Sequence, residues 1–192
     1  MKYFYIISLF LVYELCGQVR VPDFSAKNAF NELIKQCEFG PRDPGSEGHK
    51  KALEYYLKIF NKTADTTFVQ EFDDIMPRTR KKVKMSNVIA QFNPKNSKQI
   101  MISAHWDTRP WAENSSTIMR KNQPIIGAND GASGVAVILE LAKIMKKNSP
   151  PIGVSLVLFD AEDYGTSADS WSYAKGSQFF AQNIPINYPM YA

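Results

Sequence analysis

Gln99-Ile100-Met101-Ile102-Ser103-Ala104 and Val154-Ser155-Leu156-Val157-Leu158-Phe159 are two short apolar runs carrying β-branched residues. Runs of this length, without polar alternation, read as strands buried on both faces. Between them, Gly131 to Lys147 places Val135, Ile138, Leu141, Ala142 and Met145 at helical spacing and closes on Lys146-Lys147. That is the charge a helix C-terminus prefers. Asn148-Ser149-Pro150-Pro151 stops the helix. Strand, helix, strand in this order is a βαβ unit, so the two strands run parallel with their carboxyl ends on one edge. Open α/β sheets take their ligands outside that edge.

The residues delivered to the edge carry chemistry. His105-Trp106-Asp107 follow the first strand, and Asp160-Ala161-Glu162-Asp163 follow the second. Asp130 sits just before the crossover helix, in Gly127-Ala128-Asn129-Asp130-Gly131-Ala132-Ser133-Gly134. Taken singly, each has a bland reading: a structural histidine, a helix cap at Asn129 or Asp130, a solvated acidic loop. Together, three segments bring an imidazole and several carboxylates to one place, a donor set that suits zinc. The His-x-Asp spacing lets one residue bind a metal while the other orients it.

Upstream, residues 26–38 read as a helix. The loop Phe39-Gly40-Pro41-Arg42-Asp43-Pro44-Gly45-Ser46 is dense in turn-formers, and Ser46 can cap a helix from Glu47 to Phe60. Ala52, Leu53, Tyr56, Leu57 and Phe60 give that helix its apolar stripe. Thr66 to Phe72 alternates as a strand does, with Lys84 to Phe92 as its partner. The remaining histidine, His49, is read as solvated on the helix surface.

The chain has 192 residues, 44% apolar and 22% charged, with a formal net charge of +4. These are ordinary globular values. Much of the excess charge lies in Arg78-Thr79-Arg80-Lys81-Lys82-Val83-Lys84. That run reads as a solvated hairpin face and, lacking interleaved aromatics, not as a nucleic-acid site. Met1-Lys2 followed by the apolar stretch Tyr3 to Val12 reads as a signal peptide over residues 1–17, too short to span a bilayer. The expectation is an exported protein, periplasmic or secreted, with no membrane-spanning segment after cleavage. Lipid anchoring at Cys16 is disfavoured by Tyr13-Glu14-Leu15 before it. Cleavage after Gly17, which removes Cys16, leaves Cys37 without a disulfide partner within the chain.

His105-Trp106-Asp107-Thr108-Arg109-Pro110-Trp111-Ala112, Pro124 to Gly134, and Leu158-Phe159-Asp160-Ala161-Glu162-Asp163-Tyr164-Gly165 resemble the zinc-dependent aminopeptidase family that also contains the glutaminyl cyclases. The Phe39 to Ser46 loop matches the same family's N-terminal motif. The His105 and Asp130 motifs look closest to bacterial glutaminyl cyclases. The resemblance runs from about Ala26 to the end, in four ordered motifs. It implies a three-layer α/β/α sandwich with a mixed, centrally parallel sheet. It also implies Zn(2+) as cofactor, with Asp130 and Asp163 as ligands, Glu162 as general acid/base and Asp107 orienting the site. His105 would ligate a second metal in a two-zinc aminopeptidase and need not touch metal in a single-zinc cyclase. Family members continue into a further strand bearing an aspartate and later supply a zinc-binding histidine. This sequence ends at Tyr191-Ala192, where that strand is due, so the resemblance marks it as the N-terminal part of a longer enzyme.

Trp106, Trp111, Tyr164 and Trp171 are candidates for the apolar wall of a substrate pocket, with core or loop packing as the alternative. Three functions stay open. The leading one is a glutaminyl-peptide cyclotransferase acting on peptide or protein N-termini. The second is a zinc aminopeptidase. The third is a non-catalytic domain that keeps the fold.

Overall fold

The computed structural model describes residues 21–185 and the backbone of residues 190–191. The leader read at residues 1–17, with Cys16, lies outside them.

Helix α1 (Ala26–Glu38) starts where Ser25 Oγ accepts the Asn28 N–H, and α2 (Glu47–Thr63) where Ser46 Oγ accepts the His49 N–H. Both caps satisfy a donor that the first helical turn leaves unpaired. Strands β1 (Thr66–Ile75) and β2 (Lys82–Phe92) form an antiparallel hairpin. The basic run occupies its tip and the start of β2. Lys82 and Lys84 reach across to Asp73 and Glu71 at 3.0 and 3.1 Å. These exposed pairs contribute little to stability, but they account for two of the three lysines in the run.

Strand β3 (Gln99–His105), helix α3 (Ser133–Lys147) and strand β4 (Gly153–Phe159) are the βαβ unit, and β3 pairs with β4 in parallel along its whole length. The sheet order is β1-β2-β4-β3-β5, where β5 (Met190–Tyr191) adds to β3 in parallel. β4 runs antiparallel to β2, which makes the sheet mixed.

Alternation along the strands divides the core. On one face, Val88, Ala90, Phe92, Val154, Leu156 and Leu158 pack against Ala52, Tyr56 and Phe60 of α2 and Val135, Ile138, Leu139 and Ala142 of α3. On the other face, Ile89 and Val157 pack against Phe180 of helix α4 (Lys175–Gln182). Helices on both sides of a sheet make the three-layer architecture expected from the sequence. Among the described residues no helix is long and apolar enough to cross a membrane.

The crossover helix begins later than its apolar pattern suggests. Ala128–Ala132 forms a wide turn in which Asp130 leaves helical geometry (φ −102°, ψ 103°), and regular helix starts at Ser133. Asp130 therefore makes no cap bond and projects at the sheet edge.

Candidate active site

The exits of β3 and β4 lie side by side, because their pairing continues one step beyond β3 through the Trp106 N–H and the Phe159 carbonyl at 3.0 Å. His105 ends β3. Its Nε2 lies 2.9 Å from Asp130 Oδ1, its Nδ1 3.4 Å from Asp107 Oδ1 and 4.0 Å from Glu162 Oε2. Gly131 permits this approach: a Cβ there would stand 2.5 Å from the His105 carbonyl oxygen and 2.9 Å from its ring. Gly127 has φ +58°, and a Cβ on it would stand 2.2 Å from the Asp130 carbonyl oxygen.

Asp107 has no accessible surface. Its Oδ1 accepts the Glu162 N–H at 2.9 Å and its Oδ2 the Asp163 N–H at 3.1 Å. One carboxylate thus joins the β3 exit to the β4 exit. Ala161, at φ +53°, makes the sharp bend that turns those two N–H groups inward. Asp160 supports the bend from below, taking the N–H groups of Ala161 (2.8 Å) and Ser86 (2.7 Å) on its buried carboxylate. Asp163 is gripped from the other side by Arg109, which donates to its carbonyl at 3.0 Å and its carboxylate at 3.3 Å while also pairing with Glu113.

Four carboxylates crowd this edge. Burial pushes the Glu162 carboxyl above its ordinary value, and the charges of Asp107 and Asp130 add to the rise while His105 opposes it. Burial and the Asp130 carboxylate push Asp163 up to about 6, against the pull of Arg109. Burial alone would lower the His105 imidazole, but its bond to Asp107 and the surrounding carboxylates reverse this and push it to about 9. Such a concentration of negative charge is what a cation would relieve.

The residues singled out in the sequence fall into three groups. His105, Asp107, Asp130, Glu162 and Asp163 come together at the edge. Trp111 lies at its margin, nearly buried beneath the guanidinium groups of Arg78 (4.4 Å) and Arg109 (5.3 Å). Trp171 is 76% exposed on a short turn. Trp106 and Tyr164 do not line a pocket: both have no accessible surface, Trp106 in the core with its Nε1 donating to the Ser86 carbonyl, Tyr164 against Met76 and Met85. Trp106 follows His105 along an extended chain, so its side chain turns to the opposite, buried face.

His49 also departs from its reading. It is buried, stacks on Trp106 with ring centroids 4.3 Å apart, and places Nε2 2.9 Å from Asp160 Oδ2. It lies one turn before Ala52, in line with Tyr56 and Phe60, so the apolar stripe already contained the signal. Arg42, Arg109 and the supporting role of Asp160 were missed. Arg42 bonds to backbone carbonyls and Arg109 ties Glu113 to the Asp163 segment, relations between distant segments that a residue pattern does not display.

The model of Peptidase family M28 matches residues 87–190, more than half of the chain. The chain belongs to peptidase family M28. Within this family it is similar to a Bacteroides thetaiotaomicron glutaminyl cyclase solved bound to N-acetylhistamine, at 34% identity and a TM-score of 0.85 over 89% of this chain and 61% of that one. It is equally similar to a leucine aminopeptidase precursor from Bacteroides thetaiotaomicron, at 34% identity and a TM-score of 0.86 over 90% and 62%. A glutaminyl-peptide cyclotransferase of Drosophila melanogaster matches at 27% identity over 64% of this chain and 33% of its own length. The chain therefore spans about three-fifths of the solved M28 relatives and a third of the fly enzyme.

Similarity to solved Zn-dependent exopeptidases implies zinc, and the donor chemistry fits it. Asp130 and Asp163 offer carboxylates in an over-negative setting, and no described residue bonds Asp130 Oδ2. Their number falls short: among the described residues no three His, Cys, Asp or Glu side chains are grouped to hold a metal ion. A zinc ion held by Asp130 and Asp163 would need a further protein ligand beyond those two.

Proposed function

We propose that this chain forms the proton-transfer and zinc-binding side of a glutaminyl-peptide cyclotransferase site, in an exported enzyme acting on peptide or protein N-termini. The observation carrying this choice over a two-metal aminopeptidase is at His105. Both ring nitrogens face carboxylates, Asp130 at 2.9 Å and Asp107 at 3.4 Å, which supports the imidazole as a hydrogen-bonding partner over its use as a metal ligand. Similarity to glutaminyl cyclases supports the same reading.

Asp130 and Asp163 would hold the zinc, which when bound supplies a Lewis acid for the γ-carbonyl of an N-terminal glutamine. The α-amine of the peptide attacks Cδ of that glutamine. A C–N bond forms to the α-nitrogen, the Cδ–Nε2 bond breaks, and ammonia leaves. Glu162 accepts a proton from the attacking nitrogen and delivers one to the departing nitrogen, so no water is consumed and no covalent enzyme intermediate forms. A carboxyl raised above its ordinary value, as Glu162 is, suits both transfers. Asp107 holds the Glu162 backbone and is a positioning residue.

Incubation of the purified, zinc-loaded protein with a Gln-initiated peptide, read by mass spectrometry, tests this. Loss of one ammonia from an otherwise intact peptide is the expected result. Release of free glutamine would sink the cyclase reading in favour of the aminopeptidase.

A further inference from the structure

Arg42 is a guanidinium with no accessible surface, and among the described residues it forms no ion pair. Leaving water without a carboxylate partner is unfavourable for such a group. What it gains instead is a set of backbone carbonyls from three segments. Nε donates to Trp106 O at 3.1 Å, Nη1 to Ile126 O at 2.9 Å and Gln36 O at 3.4 Å, and Nη2 to Gly127 O at 3.0 Å. Its own N–H donates to Thr108 Oγ1 at 2.8 Å, and its carbonyl accepts the Thr108 N–H at 3.4 Å.

The identity of those carbonyls is informative. Trp106 immediately follows His105. Ile126 and Gly127 lead into the turn that presents Asp130. Gln36 lies in the last turn of α1, whose negative end favours a cation. The guanidinium therefore bonds on one side to the segment carrying His105 and on the other to the segment carrying Asp130. The wide turn at Ala128–Ala132 makes no side-chain cap bond of its own, so its placement depends on such external ties.

We infer that Arg42 is a positioning residue that sets Asp130 against His105 through the carbonyls of Trp106, Ile126 and Gly127. Its planar fork fixes the angle between these segments. A lysine, with one rotatable ammonium head, can reach some of the same carbonyls without fixing that angle. The geometric part of the inference is independent of the reaction, whereas its effect on turnover rests on the function proposed above.

The test is Arg42→Lys, with Arg42→Gln as the second variant should the first fail to fold, compared with the parent by amide hydrogen exchange. The expected result is exchange faster by about tenfold or more at Thr108 and Ala132, with α2 and the β1–β2 hairpin unchanged. Unchanged exchange at those two amides, or an equal rise throughout the chain, overturns the inference. Turnover of a Gln-initiated peptide at saturating zinc is read alongside. kcat should fall by about 10–100-fold with KM near the parent value, and Arg42→Lys combined with Asp130→Asn should lose no more than Asp130→Asn alone. Local exchange with full turnover would retain the positioning and overturn the proposed role of Asp130, so the two failures are distinguishable.

Discussion

His49 Nε2 lies 2.9 Å from Asp160 Oδ2, directly beneath the bend that presents Glu162. Ser86 and Ala161 aim their N–H groups at the same carboxylate, so Asp160 meets three donors; burial pushes its carboxyl up, and the His49 charge and these bonds oppose the rise. Burial alone would lower the His49 pKa, but the charge and hydrogen bond of Asp160, with the charges of Asp107 and Asp43, together outweigh burial and raise it above 6.5. A folded-state value above the unfolded one stabilises the fold fully below pH 6.5, and the gain is lost as pH rises through the raised value. His49→Leu should cost about 3–5 kcal/mol, because it strands a buried carboxylate. Urea melts of parent and variant should show this gap narrowing as pH rises; a gap independent of pH would mean His49 is neutral throughout.

Glu162→Gln keeps the shape of the side chain and removes its proton chemistry. The Glu162 carboxylate is 45% exposed and meets His105 only at 4.0 Å, so the fold loses little. Turnover should fall by about 10²–10⁴-fold with the melting temperature unchanged. Full ammonia release by this variant would falsify the assignment of Glu162 as proton carrier.

Asp107→Asn exchanges one acceptor oxygen for an amino group. One of the Glu162 and Asp163 N–H groups then faces a donor instead of an acceptor. The expected cost is about 1–3 kcal/mol of stability for the orphaned buried donor, with a fall in turnover larger than that stability loss alone produces. Denaturant melts and kinetics on the same preparation check both; a variant as stable and active as the parent removes Asp107 from the site's framework.

Gly131→Ala adds a Cβ 2.5 Å from the His105 carbonyl oxygen. Backbone cannot yield cheaply, so the turn carrying Asp130 must shift, at a cost of about 1–3 kcal/mol. Gly134→Ala is the matched control, since its Cβ meets only the Ala104 Cβ at 3.0 Å. Chelator competition should show zinc bound more weakly by the Gly131 variant than by the Gly134 variant, and equal affinities would contradict the placement of Asp130 as a ligand.

The sheet was legible because its strands advertise themselves. β3 and β4 are continuous apolar runs, and α3 carries an apolar stripe of the right period, so their parallel pairing and shared edge followed from connectivity. The clustering of His105, Asp107, Asp130, Glu162 and Asp163 followed in turn. The start of α3 was misjudged because Gly131 and Ala132 fit a helical pattern while Asp130 interrupts it. Residue type leaves Trp106 and Tyr164 open between a pocket wall and packing, while strand alternation sends Trp106 away from His105 and into the core. His49 was judged by its charge rather than by its place on the α2 stripe. Arg42 stayed hidden because its partners are carbonyls of three separate segments, which acquire meaning only once the chain is folded.

Asp107 spends its oxygens on two amides and an imidazole, and all three belong to parts that take part in the proposed reaction. Thermal motion of the β3 exit is thereby shared with the β4 exit, and the two move as one body rather than drifting apart. The spacing between the proton carrier and the metal-facing edge is then settled when the chain folds, before any peptide arrives. Little of the substrate's binding energy is consumed in reorganising the protein, and more remains to lower the barrier.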